Sequence, residues 1–434
     1  MRHFHFFIIG GGAAGMCAAL GARTLLREHH IPDSACRIAL AERNNRLGIK
    51  IRISGGGKCN ITHAGDMASV LAEGFFRQSE QRFLKPCFFE LPNDAVLSWL
   101  HNKGVQTLTR DNGRIFPRSG KADDVLCVFE ELLSEHSIDV LLNAHVHSVQ
   151  RENGGFIADV GGTKIQSEQL LIATGGVSYS KTGTTGDGLR FAKQLGHTVV
   201  NPISALAPIY FVEKPPAHII GISLRDVDLI AESPTSVFTR RGDVLITHLG
   251  ISGPACLSIS RDVAEASTTA RVSLFVDFFP DESAEVLERK FVSFQTERSG
   301  QFVRTFFEER LPNAIVSPLL AQAEVPIEQK WNSLPKPMRR KLTAVSKKYF
   351  LGIVKEVPIE RGEVSAGGVS LREVNPKTMQ SRLVANLYFA GEVLDIAGEV
   401  GGFNLQAAYS TGWVAGESVA KTLLAERSLL KFSD

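Results

Sequence analysis

The residues able to do chemistry in this chain sit at glycine turns. Gly10, Gly12 and Gly15 have the spacing G-x-G-x-x-G, directly after the apolar run Phe6–Ile9 and directly before the alanine-rich stretch Met16–Leu26. Strand, tight turn and helix in that order make a phosphate site. The first glycine permits the turn, the second lets a pyrophosphate approach the backbone, and the third lets the helix pack on the strand. Ala13 and Ala14 stand in the first turn of that helix, where unpaired N–H groups and the positive end of the helix dipole favour an anion. A second strand, Arg37–Ala41, ends in Glu42, and Arg43 beside it is a further candidate cofactor contact. A carboxylate there can hydrogen-bond both ribose hydroxyls of an adenosine; a solvated strand end is the alternative. The gap from Gly15 to Glu42 exceeds the usual roughly 20 residues, so the connection around His29–Ser34 must bulge.

Further turns follow the same pattern. Ser54-Gly55-Gly56-Gly57-Lys58-Cys59-Asn60 places three glycines between polar residues. It reads as a loop pressed against a flat ligand. Backbone N–H groups and Asn60 could bond a flavin ring edge, and Lys50 or Arg52 could face phosphate; a surface turn is the alternative. Cys59 has no nearby partner cysteine and reads as a packed thiol rather than a redox centre or a covalent flavin attachment point. His63 reads as structural. Leu170–Gly176 is an apolar strand ending in Ala173-Thr174-Gly175, a second close approach to the cofactor. The loop Thr182–Gly188 leads into a helix at Leu189–Leu195. It fits either a substrate or nicotinamide phosphate, or a helix cap built on Asp187.

The acid-bearing turns at the far end complete the set. Asn386–Glu392 reads as a last parallel strand ending in Gly391-Glu392; Asp395 follows, and Gly398–Gln406 opens a long helix. A strand-end acid here suits the ribityl chain or the pyrophosphate. The helix start at Gly402, Phe403 and Asn404 would face the flavin pyrimidine and stabilise negative charge on the reduced ring. Gly401 and Gly402 remove side chains where the ring would lie.

These turns need a sheet to position them. The 434 residues allow two or three domains. The net charge of +2 does not by itself point to nucleic acid or membrane. None of the six cysteines has C-x-x-C spacing, so neither a metal site nor a dithiol is indicated, and free thiols in a reducing compartment are the simplest reading. Met1–Ala22 superficially resembles a signal peptide, but the glycine cluster interrupts its apolar part. Phe403–Leu424 carries Asn404, Gln406, Glu417 and Lys421 and suits a buried helix better than a membrane span. A cytoplasmic location follows, with no membrane partner.

Along the chain, residues 66–135 alternate helix and loop, with a strand or turn at Gly113–Pro117. Asp139–Val149 reads as one strand of a hairpin meander that turns at Glu152-Asn153-Gly154-Gly155, with Val146 mid-strand as a backbone contact to adenine. Short strands follow at Ile203–Val212, Ile219–Ala231 and Val272–Asp277. Thr247–Pro254 is a compact turn bearing His248. A period of 3.6 then predicts helices at Val286–Phe294, Phe302–Leu311, Ile315–Ala323, Ile327–Leu334 and Met338–Val345. The fold class is α/β: a Rossmann-like FAD-binding domain (1–200 and 365–434), interrupted by a small β domain (201–280 and 346–364) and by a helical subdomain (281–345). Lys336, Arg339, Arg340, Lys341, Lys347 and Lys348 form a basic cluster that reads as a solvated helix face or a grip on RNA.

With these residues in place, the chain resembles the BaiN/RdsA-type (YhiN-like) family of NAD(P)/FAD-dependent oxidoreductases over its whole length. The likeness rests on Ile9–Gly15, Ser54–Asn60, Thr247–Pro254, Gly367-Gly368-Val369 with Asn375-Pro376-Lys377, and Gly391–Asp395 with Gly401-Gly402. It implies the three-part architecture, with the inserted small β domain a β-barrel, and it implies reduction of carbon–carbon double bonds in conjugated steroid ketones or in a uracil ring of ribosomal RNA. Lys58 stands where the family often has arginine, a point charge in place of a bidentate fork. Ser365 stands where threonine is common.

Only one complete dinucleotide turn is present; Glu42 with the C-terminal Gly391-Glu392 assigns it to non-covalent FAD, and NAD(P)H is expected as a transient reductant without its own Rossmann domain. The expected reaction is hydride transfer through flavin N5 to a conjugated double bond in a small molecule or nucleobase. Asn60 and His248 are the candidates for the catalytic proton step. An amine or amino-ketone oxidase and an RNA-binding flavoenzyme acting on uracil are the other readings.

Overall fold

The computed structural model describes residues 1–152 and 154–431. Asn153, in the turn expected between the hairpin strands, lies outside the described residues. The chain forms two compact units, Met1–Pro202 with Val364–Asp434, and Ile203–Glu363.

The first unit is built on a seven-stranded sheet. Its order is Asp139–Leu141, Ile38–Ala41, Arg2–Ile9, Thr163–Ile172, Gly155–Val160 and Val146–Glu152, with Leu387–Phe389 also pairing with Thr163–Ile172. Phe6, Phe7 and Ile8 are fully buried, as expected of a parallel strand covered on both faces. Register sets the site: Ile9 is level with Ala41 and with Ile172, and Ile172 is level with Phe389. The residues that follow these strands, Gly10, Glu42, Ala173 and Ala390, therefore emerge at one edge. That carboxyl-end edge is where open α/β sheets bind ligands.

The first helix, Ala13–Glu28, and the last, Phe403–Lys431, pack through small residues. A Cβ on Gly412 or on Gly416 would overlap the carbonyl oxygen of Ala14 or of Ala18, and one on Gly21 would lie 2.8 Å from that of Trp413. The two backbones touch, which no larger residue at these positions allows.

Asp139–Val149 does not form one strand. Asn143 takes a left-handed φ of 52° and breaks the run. Asp139–Leu141 joins Ile38–Ala41 at one edge, while Val146–Glu152 pairs with Gly155–Val160 at the other. Val146 thus begins its strand, buried, rather than lying at its middle. Around the helices of residues 66–135 the chain also makes a small sheet of Thr62–His63, Arg114–Pro117 and Thr107–Thr109.

The second unit contains the expected barrel. Six antiparallel strands close in the order Ile209–Phe211, Gly250–Ser252, Val237–Ile246, Ser223–Glu232, Ser273–Asp277 and Tyr349–Glu356. The strand expected over Ile203–Val212 is interrupted at Leu206, whose φ is 53°. Helices Ala284–Glu297, Val303–Glu308, Asn313–Gln322 and Lys336–Lys347 follow, around the buried rings of Phe291, Phe306, Phe307 and Trp331. Ile327–Leu334 is not a helix; only Trp331–Ser333 forms a turn of 3-10 helix. Its backbone bonds sideways instead, with Val303 N–H donating to Gln329 O and Trp331 N–H to Gln301 O.

Two predictions follow from this packing. Gly412→Ala puts a methyl against backbone and is expected to cost about 1–3 kcal/mol, read as a lowered midpoint in urea. His197 is buried, its Nε2 lies 2.7 Å from Ser381 Oγ, and burial holds its pKa below the ordinary value. His136 is shifted the same way, also by burial. Below about pH 6.5 the unfolded chain then binds more protons than the folded one, so stability falls as pH falls. His197→Gln is expected to lose less stability than wild type between about pH 7.5 and about pH 5.5.

Candidate functional site

The site is built from the turns at the sheet edge. Gly10 has φ of 112° and its N–H donates to Ala41 O. A Cβ on Gly15 would overlap Gly10 O, so the third glycine is required for the helix to close on the turn. A Cβ on Gly12, by contrast, would meet nothing within 4 Å. That open face lies at the start of the first helix, where Gly12 is the cap and the amides of Ala13 and Ala14 have no intrahelical acceptor.

Glu42 is 8% exposed, so it is not a solvated strand end. Its Oε2 accepts from Gly11 N–H at 2.9 Å, and its Oε1 accepts from the backbone and side-chain amides of Asn44 at 2.9 and 2.7 Å. The carboxylate is thereby aimed along the turn. Arg43 points elsewhere: its Nη1 donates to Thr185 Oγ1 at 2.6 Å and to Asp187 Oδ2 at 3.2 Å. Asp187 begins the helix Asp187–Gln194. Burial pushes its carboxyl up, but hydrogen bonds from Thr185, Arg190 and His145 outweigh that and hold it below the usual carboxylate range. The Thr182–Gly188 loop is thus fastened by its own side chains and by Arg43.

A second node gathers four segments. Lys50 Nζ donates to Glu392 Oε2 at 2.5 Å and to Ser178 Oγ at 2.8 Å. Glu392 Oε1 accepts from Ser365 N–H at 2.8 Å, Ser365 Oγ at 3.1 Å and Ser178 Oγ at 3.2 Å. Asp395 Oδ1 accepts from Gly367 N–H at 3.0 Å. Gly391 has φ of 75°, and a Cβ there would fall 2.9 Å from that of Ala14, so the last strand ends against the first helix. Sequence reasoning missed Ser178 altogether and did not foresee the part played by Ser365. Nothing in their immediate neighbours marks them; they stand 214 and 27 residues from Glu392 in sequence. Arg52 turns away and pairs with Asp123.

The glycine run after Lys50 is not an open loop from end to end. Helix Ile49–Gly57 is broken at Ser54, after which Gly55, Gly56 and Gly57 have φ of 57°, 68° and 84°. Three successive left-handed residues are feasible only for glycine. The three are exposed, and the turn closes when Cys59 N–H donates to Ser54 O at 3.0 Å. The Cys59 thiol is buried, and burial pushes its pKa up to about 12, so it is no thiolate at neutral pH.

Asn60, with its amide turned to satisfy its neighbours, accepts from Gly402 N–H at 2.9 Å and donates to Thr62 O at 3.2 Å. Gly402 has φ of 92°, and a Cβ on it would fall 2.6 Å from the Thr62 carbonyl. Phe403 stacks on His63 with ring centres 4.6 Å apart, and the Asn404 amide binds both N–H and C=O of Gly398. The structure therefore brings Asn60 to the start of the last helix, with its amide committed there. Ala173, Thr174 and Gly175 follow the central strand at the same edge as Gly10: Ala173 N–H donates to Ile9 O at 2.9 Å.

Two candidates lie in the other unit. His248 is exposed, in the turn between strands Val237–Ile246 and Gly250–Ser252. The basic cluster is largely neutralised. Arg339 is 8% exposed and pairs with Glu288, Lys341 pairs with Glu324, Lys347 with Asp277 and Lys348 with Glu232. Lys336 and Arg340 are exposed.

Taken together, the open face at Gly12, the amides behind it and the buried, aimed Glu42 fit the pyrophosphate and ribose of a dinucleotide. Among the described residues no cluster of His, Cys, Asp and Glu could hold a metal, and no helix is long and apolar enough to cross a membrane.

Residues 4–418 match the family described as the HI0933-like protein Rossmann domain. The chain is 27% identical over 416 residues to a 3-dehydro-bile acid delta(4,6)-reductase of Clostridium scindens, covering 95% of this chain and 98% of that one. It is 28% identical over 445 residues to a ribosomal RNA dihydrouridine synthase of Escherichia coli, covering 99% and 100%. In fold it is similar to the crystal structure of a 3-ketosteroid delta1-dehydrogenase from Sterolibacterium denitrificans, with TM-score 0.52 and 12% identity over 97% of this chain and all of that one.

The Lys50–Glu392 pair is the structural claim most open to test. Its side chains are 27% and 17% exposed. Lys50→Met and Glu392→Gln are each expected to lower the urea midpoint, and the double variant to lose less than the sum. A double-mutant cycle should return a coupling of roughly 1–3 kcal/mol.

Proposed function

The chain belongs to the HI0933-like family and is a flavin-dependent oxidoreductase; on that premise we propose that it binds FAD and uses NAD(P)H to reduce an activated carbon–carbon double bond. The observation that carries the reading is the convergence of Gly10–Gly15, Glu42, Ala173–Gly175 and Gly391–Glu392 at one sheet edge. FAD, when bound, would supply the hydride chemistry by which a hydride from the nicotinamide reaches the β-carbon of the double bond, the α-carbon taking a proton from water.

The protein's own residues bind and orient. The turn at Gly12 and the amides of Ala13 and Ala14 hold the pyrophosphate. Glu42 takes the adenosine ribose, and Val146 offers backbone to the adenine. Lys50, pinned between Glu392 and Ser178, fixes the helix that leads into the Ser54–Gly57 turn. Gly55–Gly57 present backbone without side chains to the flat face of a ligand. Gly402, Phe403 and Asn404 would hold the flavin pyrimidine at the positive end of a long helix dipole, which suits negative charge there. Asn60 positions that helix start and does not move a proton. Cys59, a buried thiol, leaves the cofactor non-covalent.

The relatives support double-bond reduction over amine oxidation, since one is named a reductase and the other a synthase of dihydrouridine. The second name also makes a uracil ring in RNA a candidate substrate beside a conjugated ketone. The Lys336–Lys348 stretch lends that reading little, because four of its cations are already paired within the protein. All six thiols are free, which suits a reducing cytoplasm.

Anaerobic titration with NADH and NADPH tests the proposal. One of them is expected to bleach the bound flavin, and an enone or a uracil-containing RNA to restore its colour. Failure of both nucleotides to bleach it, with bleaching by a small amine and peroxide formation in air, would point to the oxidase instead.

A further inference from the structure

We infer that the loop Ser178–Asp187 is a clasp that retains the cofactor by fastening the adenosine acid to the Glu392 node. This rests on the reading of Glu42 as the ribose acid. One end of the loop is tied at Ser178, whose Oγ accepts from Lys50 and donates to Glu392; Thr184 Oγ1 donates to Ser178 O. The other end is tied to the strand end that bears Glu42. Asn44 Nδ2 donates both to Glu42 Oε1 at 2.7 Å and to Thr182 O at 3.1 Å. Arg43 spans Thr185 and Asp187 at 2.6 and 3.2 Å.

The loop is bent into this path by left-handed residues at Tyr179, Gly183 and Gly186, with φ of 50°, 100° and 79°. Gly183, at φ of 100°, sits where an L side chain is strained, and a Cβ there would fall 2.7 Å from Asn44 Nδ2. Every hydrogen bond that orients Glu42 Oε1 therefore comes from a residue that also holds the loop. Opening the loop frees the Asn44 amide and loosens Glu42; closing it aims Glu42. Arg43 and Asp187 act through Asn44 and Glu42, and are positioning residues.

The test compares FAD release from Arg43→Met, Asp187→Asn and the double variant, followed by the rise of free-flavin fluorescence after dilution. Each single variant is expected to release FAD roughly tenfold faster than wild type, from the loss of charge-assisted hydrogen bonds. The double variant is expected to be no faster than the faster single, because both act on one clasp. In the apoproteins, the amides of Thr182 and Gly183, which bond to Tyr179 and Ser180, should exchange with solvent faster in the variants. Should Arg43→Met not fold, Arg43→Lys keeps the charge but loses the fork and serves the same comparison. Release rates equal to wild type in folded variants, or single effects that multiply, overturn the clasp. Glu42→Ala separates the two readings. If it weakens FAD retention while the clasp variants do not, the clasp alone is wrong; if it retains FAD like wild type, the ribose reading fails and the clasp with it.

Discussion

The first unit depends on two helices that touch backbone to backbone. Gly412 and Gly416 of the last helix lie directly on the carbonyls of Ala14 and Ala18 in the first, and Gly21 faces the carbonyl of Trp413. This contact joins the two ends of the chain. It carries the N-terminal turn of the last helix, with Gly402 and Phe403, into the same unit as the opening glycines, and it brings Gly391 against Ala14. Any side chain at those glycines would part the helices and separate the phosphate turn from the acid-bearing end of the last strand. The insert between residues 202 and 364 can be long because this contact, together with the parallel pairing of Leu387–Phe389, closes the unit on its own.

On that frame, polar groups are arranged in layers behind the edge of the sheet. Glu42 is aimed by Gly11 and Asn44, Glu392 by Lys50, Ser178 and Ser365. Each carboxylate is partly or wholly removed from water and satisfied by donors from distant segments. Such networks are costly to leave half made and specific when complete. They explain why residues remote in sequence, such as Ser178 and Ser365, belong to the site although they bear none of its obvious chemistry.

Much of the frame was legible from sequence because it follows from backbone rules. The glycine spacing and the apolar strands ending in glycine or acid mark the sheet edge, and the parallel strands of the sheet are found where those patterns lie. What depends on side chains meeting across the fold was not legible. The Lys336–Lys348 stretch reads as free charge until Glu288, Glu324, Asp277 and Glu232 are seen beside it. Arg43 reads as a cofactor contact until Thr185 and Asp187 claim its guanidinium. Ile327–Leu334 has helical spacing, yet its backbone bonds to 301–303. Asp139–Val149 alternates like one strand, yet Asn143 sends its halves to opposite edges of the sheet.

The central claim is that the first unit holds FAD with its pyrophosphate on the opening turn and its adenosine at Glu42. A crystal structure of the protein saturated with FAD tests it most directly. The account predicts density for the pyrophosphate within hydrogen-bond reach of the Gly12–Ala14 amides and for the ribose at Glu42, with the flavin toward Gly402. Density for the nucleotide elsewhere in the unit, or crystals that stay colourless in excess FAD with an unfilled face at Gly12, would contradict it.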